Sequence, residues 1–411
     1  MIGSRIKYYL TKLKQASSDG TLSERVRRKL VDGTKAKAAT GFAYKKLSRE
    51  DRSLAVRAGY SDHREPTRSL SDADRQLLDR LNDAYQLAKA DQQSVRPEFE
   101  IRGLWAEWIE INYRPLVKSL ESRDYKALDN LLSNFSREQI AVGTGSSYDD
   151  MVMYKTSLFG GIYAKTVWCD YRDKLIEIGG DVNDIEHPMV GNPAGIPVNG
   201  SVIPTETLRH AYNAYSIADL LVDVERPVVV EIGGGFGGQA FQTVDRLRKV
   251  SNPISKYLNF DIPEVLFIAS YFLMKSLPEL RFRLYGEGRV STDAEEEFDI
   301  GLFPYFSIGE LSDRSVDLAF NSHSFSEMDG STSSAYLRIL NRICSRYFMH
   351  INHETRLTFE QTDGSKSENK LGSELVPDMS VFKRIYKRPR VYGRPEDRPF
   401  KSFAYLYERI R

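Results

Sequence analysis

The stretch VVVEIGGGFGGQAF, residues 228 to 241, constrains the fold more than any other part of the chain. A run of β-branched residues ends at Glu231, and five of the six residues from 233 to 238 are glycine. β-Branched residues favour strands, and glycine permits the positive φ angles at which a ligand can approach a tight turn. A helix-compatible segment follows, and its first N–H groups would favour an anionic group. The pattern predicts a strand, a turn and a helix that together bind a ligand.

The spacing of these glycines fits two classes of cofactor. Gly233, Gly235 and Gly238 match the G-x-G-x-x-G pattern of a dinucleotide site. Gly233, Gly235 and Gly237, preceded by Glu231, equally match the E-x-G-x-G-x-G pattern of an S-adenosylmethionine site. An acid at the strand end would repel a pyrophosphate over the turn, whereas it suits the amino group and the sulfonium of S-adenosylmethionine. Glu231 therefore favours the second cofactor.

Strand-like and helix-like segments alternate from about residue 205 to the C-terminus. The strand-like segments include KYLNFDI, RFRLYG, SVDLAFNSHSF and RYFMHINHE, with helical patterns between several of them. This alternation predicts an α/β domain over 205–411, a Rossmann-like doubly wound sheet that binds ligands at the carboxyl ends of its strands. The final segments SVFKRIYKR and KSFAYLYERI predict a C-terminal strand pair.

The chain before this domain has helical patterns instead. Residues 61–204 are predicted to form a helical region that covers the site on the side of the acceptor, the second substrate. Ser71 and Asp74 predict an N-terminal capping box at the start of one of its helices. The region ends in a loop rich in Gly, Pro and Asn, in which IPVNGSVI predicts a small hairpin. Residues 1–60 form a basic helical segment. Its stretch RIKYYLTKLK is amphipathic, which fits either a membrane surface or anionic partner, or packing on the next domain.

Composition limits the partners and the compartment. The formal net charge is +1, which disfavours a nucleic-acid binder, although residues 1 to 50 hold thirteen Lys or Arg against four acids. The two cysteines, Cys169 and Cys344, suit a reducing compartment. The N-terminus lacks the apolar segment of a secretory signal. We expect a cytoplasmic protein, with contact to the inner face of the membrane or to a glycan-assembly complex left open for the basic N-terminus.

Polar residues cluster where the predicted strands end. Asp261, in NFDIPEVL, suits the ribose hydroxyls of an adenosyl group, the N-cap of a helix that begins near Pro263, or both at once. The segments NSHSFSEMD and HINHE supply His323, Glu327 and His353 as candidate general bases for a hydroxyl nucleophile. His323 and His353 could instead be metal ligands, but their spacing matches no metal motif, so no metal site is predicted.

Four segments in this order carry a resemblance to a known family. VVVEIGGGFGGQAF, YLNFDIPEVLFIASYFL, DLAFNSHSFSEMD and YFMHIN resemble class I S-adenosylmethionine-dependent methyltransferases, and more narrowly a bacterial family of sugar O-methyltransferases. The loop VGNPAG, residues 190 to 195, resembles that family's GNP loop. The resemblance covers roughly residues 100 to 390 and implies methyl transfer to a sugar hydroxyl, often in surface-polysaccharide or glycoconjugate assembly.

The resemblance also assigns roles to residues of this chain. It implies that Glu231, Gly233, Gly235 and Gly237 hold the methionine part of the cofactor. Asp261 with Ile262 would hold the ribose, and Asn321 would lie beside the cofactor. Asn192 and Ser324 would contact the acceptor. His323 occupies a variable position of the family segment, which favours Glu327 as the base.

Two alternatives belong to other classes of protein. A nicotinamide-dependent sugar oxidoreductase would bind NAD or NADP. A catalytically degenerate partner of a glycan-assembly complex would bind no cofactor, and the intact glycines and acids disfavour it. For the enzyme, the sequence leaves open a sugar, a nucleotide sugar or a glycan end as acceptor, as well as self-association.

Overall fold

The computed structural model describes residues 40–64, 70–140, 148–250, 256–360, 366–392 and 401–410. The amphipathic stretch RIKYYLTKLK lies outside these residues, so both interpretations of it stay predictions.

The described strands form one large sheet and two small hairpins. They are β1 Ile196–Val198, β2 Ser201–Ile203, β3 Val228–Ile232, β4 Lys256–Asp261, β5 Phe282–Leu284, β6 Ile300–Pro304, β7 Val316–Ser322, β8 Cys344–His353, β9 Thr358–Glu360, β10 Lys366–Glu368, β11 Phe382–Pro389 and β12 Ser402–Arg409. The large sheet has the order β11-β12-β8-β7-β3-β4-β6-β5. β3 to β8 pair in parallel, and β12 and β11 add to the β8 edge in antiparallel orientation.

Strand order reverses at β3, which has β4 on one side and β7 on the other. In an open parallel sheet, ligands bind beyond the carboxyl ends of the strands at such a point. The predicted doubly wound α/β domain and its C-terminal strand pair are confirmed.

Helices cover both faces of the sheet. The described helices are α1 Arg49–Ser53, α2 Val56–Gly59, α3 Asp72–Asp91, α4 Gly103–Trp108, α5 Arg114–Glu121, α6 Tyr125–Leu132, α7 Tyr148–Thr156, α8 Leu158–Glu177, α9 Thr205–Leu220, α10 Gly238–Val250, α11 Pro263–Ser276 and α12 Gly330–Ile343. Residues 40–46 are also helical, and a π-helical turn, Ile109–Tyr113, joins α4 to α5. The helical N-terminal region is thus confirmed for the described residues.

The two faces of the sheet bury separate apolar clusters because side chains alternate along each strand. Val229 of β3 and Tyr257 of β4 belong to the cluster under α10 and α11. Val230 and Leu258 belong to the opposite cluster, which α12 covers. A third cluster joins α8 and α9 to the β1–β2 hairpin, so the helical region packs directly on the α/β domain.

Two local predictions in the helical region are confirmed. Ser71 and Asp74 form a reciprocal capping box at the start of α3. β1 and β2 pair in antiparallel fashion around Asn199 and Gly200, whose φ angles are +48° and +83°. Positive φ at both turn residues is what an Asn-Gly hairpin requires.

Candidate functional site

A cavity of about 490 Å³ opens at the carboxyl ends of β3, β4 and β7. Its floor is the glycine turn after β3, and its walls include Glu231, Asp261 and Glu327. The helical region contributes Trp105 from α4 and the C-terminal segment contributes Arg390, so elements far apart in the chain enclose one space.

The glycine turn folds back onto the ends of β4 and β7. Gly233, Gly235 and Gly237 have φ angles of +74°, +60° and +94°, a region that only glycine adopts readily. The N–H of Gly233 donates to the carbonyl of Phe260 at 2.8 Å. A Cβ on Gly233 would lie 2.3 Å from the Ser324 hydroxyl oxygen. Both φ and space therefore require glycine at 233, as the sequence indicates.

Glu231 is buried at the end of β3 and lines the cavity. Burial raises the pKa of its carboxyl to about 7, against a hydrogen bond from the Tyr257 hydroxyl, 2.7 Å away, that acts in the opposite direction. Burial disfavours the ionised form of a carboxyl unless a positive charge compensates it. The site is therefore suited to a ligand that brings a cation to Glu231.

Asp261 ends β4 and lines the same cavity. Its Oδ2 accepts from the N–H of Gly235 at 3.0 Å, and its Oδ1 accepts from the N–H of Ile262 at 2.7 Å. Burial raises its pKa to about 7, although both backbone donors lower it. Ile262 is the N-cap residue of α11 and no side chain caps that helix, so the N-cap alternative for Asp261 is wrong. Ile262 also lines the cavity.

Asn321 does not line the cavity. It is fully buried, and its Nδ2 donates to the Ile232 carbonyl at 2.9 Å and to the Ser324 hydroxyl at 2.5 Å. Its Oδ1 accepts from Asn352 at 2.8 Å. Asn321 thus ties β3, β7 and β8 together beneath the site, while Ser324 reaches the cavity wall.

His323 lines the cavity in a strained backbone conformation, with φ +70°. Its Nε2 lies 3.2 Å from Nη1 of Arg390. A guanidinium only donates, so Nε2 is the acceptor and carries no proton. Burial and the charges of Arg209 and Arg390 hold the pKa of His323 well below its usual range. The imidazole is neutral, and its Nε2 lone pair is occupied.

Glu327 follows in the turn Ser324–Glu327 and lines the cavity. Burial raises its pKa to about 7, against a hydrogen bond with Trp105 of α4. A general base works best when its pKa lies near the operating pH. Of the three predicted base candidates, Glu327 combines access to the cavity with such a pKa.

Three further predicted site residues, Gly237, His353 and Asn192, do not line the cavity. His353 is buried, and its Nδ1 accepts from the N–H of Thr355 at 3.2 Å. Asn192, with φ +59°, donates to Asp62 and Asn134 and accepts from the N–H of His63. Asn192 thus joins three loops of the helical region.

The cavity also contains residues that sequence reasoning did not single out. Arg209 lies on α9, and Arg390 follows β11. Tyr171 of α8 and Tyr392 form an aromatic pair with centroids 4.4 Å apart, and both line the cavity. No local pattern marks these four residues, because only tertiary packing brings them to the strand ends.

Comparison with solved structures gives remote similarities to methyltransferases. Magnesium protoporphyrin IX methyltransferase from Synechocystis PCC 6803, solved with bound S-adenosylhomocysteine, is 12% identical, covers 60% of this chain and 99% of its own, and has a TM-score of 0.32. The 1,6-didemethyltoxoflavin-N1-methyltransferase of Burkholderia thailandensis is 14% identical over 49% of this chain and 79% of its own, with a TM-score of 0.31. An S-adenosylmethionine-dependent methyltransferase from Mesorhizobium loti is 11% identical over 49% and 98%, with a TM-score of 0.32.

No protein-family model and no curated protein matches the sequence. The similarity to these solved structures concerns the fold and identifies neither an acceptor nor a reaction.

Within the described ranges, no group of three or more His, Cys, Asp or Glu side chains is arranged to hold a metal ion. None of the helices that the structure describes is both long and apolar enough to cross a membrane.

Proposed function

We propose that the protein is an S-adenosylmethionine-dependent O-methyltransferase that acts on a sugar hydroxyl. The observation that carries the proposal is the convergence of Glu231, Asp261 and the Gly233–Gly235 turn on one cavity at the switch point of the sheet. This arrangement offers two carboxylates and a turn whose backbone a ligand can approach closely. A ligand that joins an adenosyl group to an amino acid requires both features.

The chemistry of these groups fits S-adenosylmethionine. Each carboxylate oxygen of Asp261 accepts one backbone N–H and keeps a further lone pair for a ribose hydroxyl. Glu231 would receive the ammonium group, whose charge offsets the cost of burying the carboxylate. Gly233, Gly235 and Gly237 would hold the methionine part, and Ile262 would pack on the adenosyl group. When bound, the cofactor supplies an electrophilic methyl group on a positively charged sulfur.

The acceptor hydroxyl must also be activated for the transfer. A sugar hydroxyl is a weak nucleophile, so it needs a base that takes its proton during transfer. We assign that function to the Glu327 carboxylate. Trp105 would orient the carboxylate through its hydrogen bond. His323 would serve as a neutral neighbour rather than the base.

Aromatic side chains support a sugar as acceptor. Trp105, Tyr171 and Tyr392 line the cavity, and we assign them to the acceptor, because aromatic faces would pack on the C–H face of a sugar ring. A nicotinamide cofactor is the rival ligand, and Glu231 at the turn disfavours its pyrophosphate.

Calorimetric titration with S-adenosylhomocysteine, NAD and NADP tests the proposal. Micromolar binding of S-adenosylhomocysteine that is lost in Asp261→Ala and kept in Asp313→Ala, a change at an exposed aspartate, is the expected result. Binding of a nicotinamide cofactor alone would overturn the methyltransferase assignment. Binding of none of the three would favour the degenerate partner protein.

A further inference from the structure

Asn259 of β4 places a buried amide directly beneath the candidate cofactor site. The residue is fully buried, and neither the oxygen nor the nitrogen of its amide has a hydrogen-bond partner among the described residues. A buried polar group without a partner costs free energy that an apolar side chain of similar size would avoid. The amide is therefore available to any acceptor or donor that comes within its reach.

The glycine turn packs against this amide through Gly234. A Cβ on Gly234 would lie 2.6 Å from both Nδ2 and Oδ1 of Asn259. Neither glycine spacing requires a glycine at 234, because this residue is the variable one between Gly233 and Gly235. Its φ is not positive either. Close packing on Asn259 therefore explains this glycine, and it places the amide against the turn that lines the cavity.

The neighbouring strands identify the group that the amide can reach. Asn259 pairs in register with Glu231 of β3 on one side and with Leu302 of β6 on the other. Side chains in register on adjacent strands lie on the same face of a sheet, on backbones about 4.8 Å apart. Of these two neighbours, only Glu231 can accept a hydrogen bond. Its Oε2 accepts from the Tyr257 hydroxyl, and its carboxyl has further lone pairs.

We propose that Asn259 is a positioning residue of the cofactor site, whose amide donates to the Glu231 carboxylate when that carboxylate is ionised. Rotation about the side-chain bonds of Asn259 would direct Nδ2 to this acceptor. A hydrogen bond to the ionised form favours ionisation, so Asn259 would extend to lower pH the range in which Glu231 can receive an ammonium group. The effect on the cofactor rests on the proposed function, whereas the effect on Glu231 does not.

Other groups also act on the charge of Glu231. Arg209 of α9 favours ionisation of the carboxyl, as does the Tyr257 hydroxyl of β4, whereas Asp261 at the end of β4 opposes it. β7 places the uncharged Phe320 in register with Glu231. All of these side chains stay in place when the amide is removed. A change in the titration of Glu231 would then measure the contribution of the amide alone.

Urea unfolding of the full-length protein at pH 5 and pH 8 tests the proposal without a ligand. Asn259→Leu removes the amide and keeps a side chain of similar size. At pH 5 Glu231 is protonated and the amide is unpaired, so the variant should have a higher urea midpoint than the wild type. At pH 8 the variant lacks a hydrogen bond to a charged group, so this gain should disappear or become a loss. In a Glu231→Gln background, Asn259→Leu should have the same effect at both pH values.

Calorimetric titration with S-adenosylhomocysteine from pH 5.5 to 8.5 measures the effect on the cofactor site. In Asn259→Leu the midpoint of the pH dependence should rise by about one unit, which lowers affinity tenfold at low pH and changes it little at pH 8.5. A purely structural role would not move this midpoint. Asn259→Ala removes the amide without adding bulk beneath Gly234 and should give the same shift. Asn130→Leu, at an exposed position of α6, is the control and should leave both measurements unchanged.

The proposal is overturned if the Asn259 variants change the urea midpoint by the same amount at pH 5 and at pH 8. It is also overturned if S-adenosylhomocysteine binds and the midpoint of its pH dependence is the same in the wild type and in both variants. A wild type that binds no S-adenosylhomocysteine would contradict the proposed function instead, and the urea comparison would still decide whether Asn259 acts on Glu231.

Discussion

The Tyr257 hydroxyl donates a hydrogen bond to the Glu231 carboxylate at 2.7 Å, between adjacent parallel strands of the central sheet. Both side chains are buried, and the pKa of Glu231 rises to about 7 because burial outweighs this one hydrogen bond. The protein thus keeps a carboxyl at the switch point of its sheet under conditions that disfavour its charge. Such an arrangement is a stability cost that a cationic ligand would relieve.

Glu231→Gln should stabilise the free protein and abolish cofactor binding. Folding raises the carboxyl pKa from its ordinary 4.5 to about 7, so the folded state holds a proton that the unfolded state has lost between these values. The free energy of unfolding therefore falls as the pH rises through this interval, and at pH 8 the cost is roughly 3 kcal/mol. Urea unfolding at pH 8 and at pH 5 should show a gain for the variant at pH 8 and little at pH 5.

The matched control for this prediction is Glu225→Gln, at an exposed glutamate just before β3. It should change neither the urea midpoint nor the affinity for S-adenosylhomocysteine. If Glu231→Gln lowered stability at pH 8, or kept full affinity, Glu231 would not be a strained cofactor ligand.

Affinity for S-adenosylhomocysteine should decrease as the pH falls below about 7. Glu231 and Asp261 both have pKa values raised to about 7, and both must be ionised to receive the ammonium group and the ribose hydroxyls. Protonation at lower pH removes these acceptors, so binding weakens toward pH 5.5. The two groups interact, so the titration belongs to the pair. Calorimetry across pH 5.5 to 8.5 measures this, and a flat profile would contradict it.

Gly233→Ala should abolish binding of S-adenosylhomocysteine. The new Cβ would lie 2.3 Å from the Ser324 hydroxyl oxygen, at a φ of +74°. The turn would have to move away from β7, and the cavity floor would change shape. Gly200→Ala is the matched control, because Gly200 has φ +83° in the hairpin turn but nothing within 4 Å of the added Cβ. It should cost only about 1 kcal/mol of stability and leave affinity unchanged. Equal affinity in the two variants would argue against a ligand at the glycine turn.

The floor of the site could be predicted from the sequence because its signals are local. Glu231 and the glycine turn end one strand and Asp261 ends the next strand, with only α10 between them. The enclosing residues could not be predicted in this way. Arg209 and Arg390 reach the cavity only through the packing of α9 and the C-terminal segment on the sheet, a long-range arrangement with no periodic pattern.

A polar residue type does not by itself distinguish a ligand contact from a residue that hydrogen-bonds to other protein groups. The family resemblance implies that Asn321 and Asn192 contact ligands, whereas in the structure each is buried with protein partners for its amide. An asparagine at a strand end or in a loop gives the same sequence signal in both situations. The position of β6 between β4 and β5 is likewise a matter of sheet order that alternation of elements does not specify.

Asn192→Ala tests whether this residue contacts the acceptor, as the family resemblance implies, or supports the helical region. The change removes hydrogen bonds with Asp62, Asn134 and His63 and places alanine at φ +59°. The loss should be about 2–4 kcal/mol of stability, with unchanged S-adenosylhomocysteine affinity. Asn192→Gly should recover the backbone part of the loss, because glycine adopts this φ freely. A fully stable Asn192→Ala with weaker acceptor binding would restore the assignment to the acceptor site.

Glu327→Gln should lower kcat by roughly 10²–10⁴-fold, the usual contribution of a general base, while S-adenosylhomocysteine affinity stays the same. The carboxyl pKa is raised to about 7 by burial, and only the ionised form accepts a proton. For the wild type, kcat at saturating S-adenosylmethionine should therefore rise with pH up to about 7 and then level off, and the variant should lack this step. Glu310→Gln is the control: burial raises the pKa of Glu310 as well, but it lies outside the cavity, so its loss should leave the profile intact. If the pH step and kcat persisted in Glu327→Gln, Glu327 would not be the base. The same test would then be applied to His323→Gln.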